Sequence, residues 1–307
     1  MDLVARLRKA AAGPRVAAAI EAEGLPAAYR EQLDHVAVPL AAQLARLTES
    51  TAAPPIVGIN GSQGSGKTTV AVFLALLLEE AAGLHAVELS IDDFYLTRNE
   101  RARLADDVHP LLATRGVPGT HDLILGRQIF DALVDRRSDV ALPRFEKAED
   151  DRASESTWRV TDRPADLVLF EGWCVACPPQ QADALEAPVN ALERDEDADG
   201  VWRGFVNDQL AGPYREWFGR IDALVMLRVP SFDQVKGWRL EQERKLIARR
   251  QAAGLDISQT MDEAGVERFI AHYERLTRHM LDTLPAEADG VITVDQRHHM
   301  TAIDGLL

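Results

Sequence analysis

The sequence is poor in cysteine and has no long apolar run. Its two cysteines, Cys174 and Cys177, are too few for a disulfide framework or a self-contained zinc site. The longest apolar stretch, residues 70–78, is far shorter than the roughly 20 residues that cross a bilayer. Glu21 and Glu23 interrupt the basic start of the chain, which favours an amphipathic surface helix over a signal peptide. We therefore expect a cytoplasmic protein with no membrane partner.

Basic residues are also scarce relative to acidic ones. The chain has 34 lysines and arginines against 49 aspartates and glutamates, which gives a net charge of −15. This charge disfavours nucleic acid and anionic membranes as general partners, because both are polyanions. The hydrophobic content of 46% and the charged content of 27% are typical of an ordinary globular protein. An anionic ligand would therefore need a local basic pocket.

The first part of the chain has the pattern of a helical extension. In residues 1–50, apolar side chains recur at three- and four-residue spacings, with breaks at Gly13-Pro14 and Gly24-Leu25-Pro26. We take residues 51–307 as the main domain. No internal repeat is present to divide it further.

The pattern of the main domain predicts an α/β fold. Segments of helical character separate strand-like runs, and this alternation is typical of a mostly parallel sheet flanked by helices. The runs are residues 56–59, 86–91, 167–170, 223–229 and 291–294. Charges, prolines and glycines are dense between Arg98 and Arg163, where only residues 123–133 have clear helical spacing. We expect lids and substrate loops in that region.

A phosphate-binding loop follows the first predicted strand. The segment from Gly61 to Thr68 fits G-x-x-x-x-G-K-[ST] and precedes a predicted helix over 69–82. In this pattern the backbone N–H groups and the start of the helix surround a phosphate, lysine reaches the β- and γ-phosphates, and the final hydroxyl binds Mg²⁺. The pattern thus predicts a P-loop NTPase. Its phosphate-binding residues are Gly61, Ser62, Gln63, Gly64, Ser65, Gly66, Lys67, Thr68 and Thr69.

Carboxylates end two of the other predicted strands. Glu171 ends the run 167–170, where a P-loop enzyme places its second magnesium-organising group. Asp92 and Asp93 follow the run 86–91, so they lie at the carboxyl edge of the sheet beside the phosphate loop. One of them can accept the proton of an alcohol during phosphoryl transfer. The alternatives are an ordinary surface residue for Glu171 and a helix cap for Asp93.

Together these segments resemble the P-loop kinases of the phosphoribulokinase, uridine kinase and pantothenate kinase group, and within it the D-glycerate 3-kinase-like family. The shared segments cover most of residues 55–295 and read GINGSQGSGKTT, SIDDFYLT, HPLLATRGVPGTHDL, LPRFEK followed by DRASESTW, LVLFEGW and GWRLEQE. The resemblance implies an ATP- and Mg²⁺-dependent kinase acting on a hydroxyl of a small metabolite, with D-glycerate as the leading acceptor. It also implies that Asp92 is the base and that Thr68 and Glu171 bind magnesium.

The resemblance implies an acceptor pocket as well. Residues 115–122 are similar to the substrate-side loop of pantothenate kinase, and residues 142–158 match the segment that lines the acceptor pocket in the group. A small hydroxy acid would also need cations for its carboxylate. The implied substrate residues are Asp92, Tyr95, Arg115, His121, Asp122, Lys147 and Arg152. Solvated loop charges remain an alternative for Lys147 and Arg152, and an ordinary loop histidine for His121.

Basic residues are concentrated in a predicted lid at about residues 231–255. A closing helix of this kind can neutralise the charge that spreads over the transferred phosphoryl group, and Arg239 and Arg244 are the candidates. A solvated helix face is the alternative, because Glu241 and Lys245 also form a favourable i,i+4 pair.

Other functions stay open from the sequence alone. They include a kinase for another small alcohol, such as a nucleoside, a pantothenate-like compound or a sugar, and a nucleotide-binding regulatory module without transfer chemistry. The segment 146–152 is shorter and more acidic than in plant-like members of the family, so the acceptor pocket can differ. Cys174 and Cys177 have the spacing of a redox dithiol, but two reduced, packed thiols fit the surrounding sequence better. The oligomeric state is not predicted.

Overall fold

A six-stranded sheet lies at the centre of the computed structural model, which describes residues 2–252 and 260–305. Its strand order is β10-β9-β8-β1-β7-β2. The pairs from β2 to β9 are parallel, and β10 runs antiparallel to β9. These strands are β1 (Ile56–Gly61), β2 (Ala86–Ser90), β7 (Leu167–Gly172), β8 (Ala223–Arg228), β9 (Gly290–Val294) and β10 (Met300–Asp304). The parallel sheet confirms the predicted α/β fold.

The five predicted strand runs form the parallel part of the sheet. Every residue of β1 and β7 is buried, as expected for central strands that helices cover on both faces. Strand β10 was not predicted, because most of its residues are exposed and it lacks an apolar run. Two short ribbons add to the sheet, one pairing β3 (Ala141–Leu142) with β6 (Arg159–Val160) and one pairing β4 (Phe145–Glu146) with β5 (Asp151–Arg152).

The described residues contain twelve α-helices, and several of them flank the sheet. They are α1 (Leu3–Ala11), α2 (Pro14–Ala22), α3 (Tyr29–Gln32), α4 (Val38–Ser50), α5 (Lys67–Ala82), α6 (Arg98–Asp107), α7 (Leu123–Val134), α8 (Ala191–Glu196), α9 (Val201–Ala211), α10 (Pro213–Phe218), α11 (Phe232–Ala252) and α12 (Glu263–Glu287), with a π-helical segment over Leu33–Ala37. In the described residues, no helix has the length and hydropathy needed to span a membrane.

The N-terminal helices share the core of the main domain. Leu7 of α1 and Leu40 of α4 are fully buried in the same cluster as Phe73 and Leu77 of α5. The predicted breaks separate these helices, since Pro14 starts α2 and Gly24 has a positive φ of 65°. Residues 1–50 are therefore helical and pack on the helix that follows the phosphate loop.

Helix α6 was not predicted, because it is strongly polar and has no apolar stripe. A capping box stabilises its start: the Thr97 side chain accepts from the Glu100 backbone N–H, and the Glu100 carboxylate accepts from the Thr97 backbone N–H. The predicted lid corresponds to α11. Residues 253–255 of the predicted lid lie outside the described residues.

Candidate active site

The phosphate loop lies between β1 and α5, at the carboxyl edge of the sheet. Gly64 and Gly66 have positive φ angles of 77° and 93°, which turn the loop back toward the start of α5. A Cβ on Gly61 would lie 2.5 Å from the Ser65 hydroxyl, so any larger residue would displace the Ser65 side chain from its place in the loop. Within the described chain, the buried hydroxyls of Ser62 and Ser65 have no hydrogen-bond partner. The loop is thus shaped, and supplied with donors, to receive an anion.

A carboxylate stands next to this loop because β1 and β7 pair in parallel with Ile59 opposite Glu171. The Thr68 hydroxyl donates to Glu171 Oε1 at 2.8 Å, and Lys67 Nζ lies 3.8 Å from Glu171 Oε2. Glu171 is only 5% exposed, and its Oε2 has no hydrogen-bond partner among the described residues. Mg²⁺ is usually bound by one or two protein oxygens together with phosphates and water. The hydroxyl and carboxylate oxygens here fit that cation.

A second carboxylate, Asp92, lies on the turn after β2. Its Oδ2 accepts from Lys147 Nζ at 2.7 Å and its Oδ1 from the Tyr95 hydroxyl at 3.0 Å. Burial alone would raise the pKa of Asp92, but the positive charges of Lys147 and Lys67 outweigh it and hold the pKa below its ordinary value. Asp92 is therefore an ionised carboxylate with two fixed partners.

Asp92 and the two residues that contact Glu171, Lys67 and Thr68, line one cleft of about 1290 Å³. At one end, Gln63, Gly64, Lys67 and Thr68 line it. At the other end the lining residues include Asp92, Tyr95, Arg115, Lys147, Trp173, Arg239 and Tyr273. The cleft has room for a nucleotide and a small second molecule, and it places the phosphate loop and Asp92 in one space.

Two arginines face the end of the cleft that contains Asp92. The Arg115 guanidinium lies 5.4 Å from the centre of the Phe145 ring and pairs with Asp150. Its backbone carbonyl accepts from the Tyr273 hydroxyl at 3.1 Å. Arg239, on α11, pairs with Glu243 at 2.8 Å. This local positive charge is the kind of pocket that an anionic ligand of an acidic protein needs.

Three predicted substrate residues do not line the cleft. His121 is 4% exposed, stacks on Tyr95 with 4.6 Å between ring centres, and burial lowers its pKa to about 3. Asp122 caps α7 by accepting from Leu125 N at 3.0 Å, and it pairs with Arg152 at 3.1 Å. Arg152 also donates to the Tyr95 carbonyl at 2.9 Å. Tyr95 is therefore held, on its side away from the cleft, by His121, Asp122 and Arg152.

The two predicted lid arginines are placed differently. Arg239 lines the cleft and its side chain is 16% exposed. Arg244 is 68% exposed, lies 3.6 Å from Glu263, and is not among the residues that line the cleft. They are five positions apart along α11, so they face different directions on the helix.

Sequence reasoning missed the residues that cover the phosphate loop. The Trp238 ring of α11 packs at a tilt against the His298 ring, with 3.8 Å between ring centres, and a His298 ring nitrogen lies 3.0 Å from the Gly64 carbonyl oxygen. A tryptophan within a charge-rich helical segment is the sequence signal that could have suggested a contact role. Nothing in the sequence around His298 indicates its partner, which lies 234 residues away.

The two cysteines are packed behind the site. Both are buried and free. Burial raises the pKa of Cys174 and of Cys177 well above the ordinary thiol range, so both are protonated and unreactive. This geometry agrees with the interpretation as reduced, packed thiols.

The chain is similar in sequence to known kinases. The chain is 35% identical over 230 residues to an uncharacterized kinase of Schizosaccharomyces pombe, covering 72% of this chain and 78% of that protein. It is 32% identical over 257 residues to the chloroplastic D-glycerate 3-kinase of Arabidopsis thaliana, covering 79% of this chain. The match spans about half, 52%, of the length of the plant enzyme.

A solved structure shows the same architecture. The D-glycerate 3-kinase of Cryptococcus neoformans superposes with a TM-score of 0.71 at 27% sequence identity, covering 87% of this chain and 97% of that one. No family model matches the chain. The sequence relatives, the shared fold and the phosphate loop agree. The chain therefore belongs to the D-glycerate 3-kinase-like family of P-loop kinases.

Proposed function

We propose that this protein transfers the γ-phosphoryl group of ATP, with Mg²⁺, to a hydroxyl of a small metabolite, and that the metabolite is D-glycerate. One observation carries the proposal: Asp92, ionised and held by Lys147 and Tyr95, faces the same cleft as the phosphate loop. A carboxylate in that position is what phosphoryl transfer to an alcohol requires. The choice of D-glycerate is supported by the names of the plant and fungal relatives.

The phosphate loop binds the nucleotide in this proposal. Its backbone N–H groups and the start of α5 face the phosphates, and Lys67 contacts the β- and γ-phosphates. Thr68 and Glu171 would hold the magnesium ion. When bound, Mg²⁺ neutralises charge on the β- and γ-phosphate oxygens. Arg239 adds positive charge beside the transferring group from α11.

Asp92 acts on the acceptor. Its carboxylate orients the acceptor hydroxyl toward the γ-phosphate and takes the hydroxyl proton as the new oxygen–phosphorus bond forms. The bond between the γ-phosphorus and the β–γ bridging oxygen breaks in the same transfer, and ADP is the leaving group. Lys147 keeps Asp92 ionised before the acceptor binds. Arg115 lies on the same side of the cleft, and its planar guanidinium suits the acceptor's carboxylate.

An acceptor panel tests this proposal. ADP release by the purified protein is measured with ATP and Mg²⁺, adding D-glycerate, glycerol, a nucleoside, pantothenate or a sugar in turn. We expect D-glycerate to stimulate release strongly and Lys67→Ala to abolish the stimulation. Stimulation by a different compound would keep the kinase and replace the acceptor. Tight nucleotide binding with no acceptor effect would favour a regulatory module.

Asp92→Asn tests the base separately from nucleotide binding. Turnover should fall at least about a hundredfold, the usual contribution of a positioned general base, while ATP affinity stays close to that of the unmodified protein. Asp106→Asn is the matched control, because Asp106 is an exposed aspartate of α6 outside the cleft. Unchanged turnover in Asp92→Asn would remove Asp92 as the base.

A further inference from the structure

The ion pair between Lys147 and Asp92 depends on how the backbone that carries Lys147 is positioned. The Lys147 side chain is 64% exposed, yet its ammonium lies 2.7 Å from Asp92 Oδ2. An exposed ion pair of this kind is usually worth less than about 1 kcal/mol, because water competes and a long side chain loses rotamer freedom. Such a pair does not fix its own geometry. The segment that carries Lys147 has to be held in place by other contacts.

That segment is the ribbon of β4 and β5, in which Phe145 pairs with Arg152. At the start of the ribbon, the Phe145 backbone N–H donates to Asp93 Oδ1 at 3.0 Å. At its end, Arg152 donates to the Tyr95 carbonyl at 2.9 Å. Lys147 lies between these two anchor points. The turn that carries Asp92 therefore also holds the ribbon that delivers the lysine to it.

Asp93 has no other role in its surroundings that would explain its carboxylate. The helix after the turn, α6, is capped by Thr97 and Glu100 and not by Asp93. Among the described residues, the Asp93 side chain has one hydrogen-bond partner, the Phe145 backbone N–H. Asp93 does not line the cleft, so its position offers a hydrogen bond to the ribbon and no contact with a substrate.

We propose that Asp93 is a positioning residue, which fixes the β4–β5 ribbon so that Lys147 meets the carboxylate of Asp92. The proposal rests on the proposed function, in which Asp92 is the base. The Asp93 oxygen that accepts from the Phe145 N–H does the positioning. Asparagine has a side chain of the same length with an acceptor oxygen, so Asp93→Asn should keep the ribbon in place, whereas Asp93→Ala should not.

The first test follows Lys147 without any acceptor. The acylation rate of Lys147 by acetic anhydride is measured by mass spectrometry relative to exposed Lys9 in the same sample. In Asp93→Ala the relative rate should rise about fivefold, as expected when an exposed pair worth about 1 kcal/mol is lost. In Asp93→Asn it should stay within about twofold of the unmodified protein. Lys9 reports general loss of structure, since unfolding would bring both lysines to the same rate.

The second test is a double-mutant cycle on turnover. Asp93→Ala should lower kcat at least about tenfold with little change in the KM for ATP, because the reacting groups are misplaced while the phosphate loop is untouched. In the Lys147→Ala background it should lower kcat no further. Asp93→Asn should restore most of the kcat that Asp93→Ala loses.

The two tests distinguish failure of the positioning role from failure of the proposed kinase function. Equal losses in both backgrounds, or an unchanged Lys147 acylation rate in Asp93→Ala, would overturn the positioning role. Acceptor-independent ADP release by the unmodified protein would count against the proposed function. In that case the acylation rates alone still decide whether Asp93 places Lys147.

Discussion

Removing Lys147 should move the pH dependence of the reaction. The Lys147 ammonium and the Asp92 carboxylate are 2.7 Å apart, and the lysine is 64% exposed, so the dielectric constant of water applies. Coulomb's law then gives about 1.5 kcal/mol of attraction, which favours the ionised carboxylate. Lys147→Ala should therefore raise the pKa of Asp92. The base then loses its charge at a higher pH than in the unmodified protein.

The assay is the pH profile of kcat/KM for the acceptor from about pH 4 to about pH 8, whose acid limb reports the base in the free enzyme. The acid limb of Lys147→Ala should lie at a higher pH than that of the unmodified protein. Lys147→Arg keeps the charge and should leave the limb near its original position. An acid limb that stays in place or moves to lower pH in Lys147→Ala would refute this reasoning, as would equal shifts in both variants.

Three further predictions concern stability. Gly116→Ala should lower the free energy of unfolding by about 2 kcal/mol, because φ at Gly116 is +135° and a Cβ would lie 2.7 Å from ring carbons of Tyr273. Urea unfolding measures this change, and an unchanged midpoint would contradict the prediction. Asn60→Ala should cost about 2–4 kcal/mol in the same assay, since the buried Asn60 amide donates to two backbone carbonyls after β7 at 2.9 and 2.8 Å. Burial, together with the neighbouring Asp92 charge, raises the pKa of Asp93 from 3.8 to about 6, so its contribution to stability is full below about pH 4 and is lost as pH rises through about 6. Asp93→Asn should flatten the urea stability profile across that window, and an unchanged slope would count against the raised pKa.

Much of the fold could be predicted because its signals are local. The central strands are continuous apolar runs, and the phosphate loop needs small residues at fixed spacing between a strand and a helix. Strand β10 and helix α6 could not be predicted in this way. β10 is a largely exposed edge strand defined by its pairing with β9, and α6 is a polar helix defined by its capping box.

The residues of the candidate site were likewise predictable only in part. Asp92 and Glu171 could be placed beside the phosphate loop, because the carboxyl ends of parallel strands meet at one edge of the sheet. The substrate-side loop was less predictable. From sequence, a polar loop residue that contacts the substrate looks the same as one that holds neighbouring residues in place. In the structure, His121 and Arg152 contact Tyr95, Asp122 pairs with Arg152, and none of the three lines the cleft.

By itself, the sequence determined the parallel α/β fold, the phosphate loop and the two strand-end carboxylates, since each depends on residues adjacent in the chain. The tertiary structure alone decided which cations meet those carboxylates and what covers the loop. Lys147 reaches Asp92 across 55 residues, and His298 reaches Gly64 across 234. Such contacts depend on how separate segments pack against one another, and no spacing within either segment encodes them.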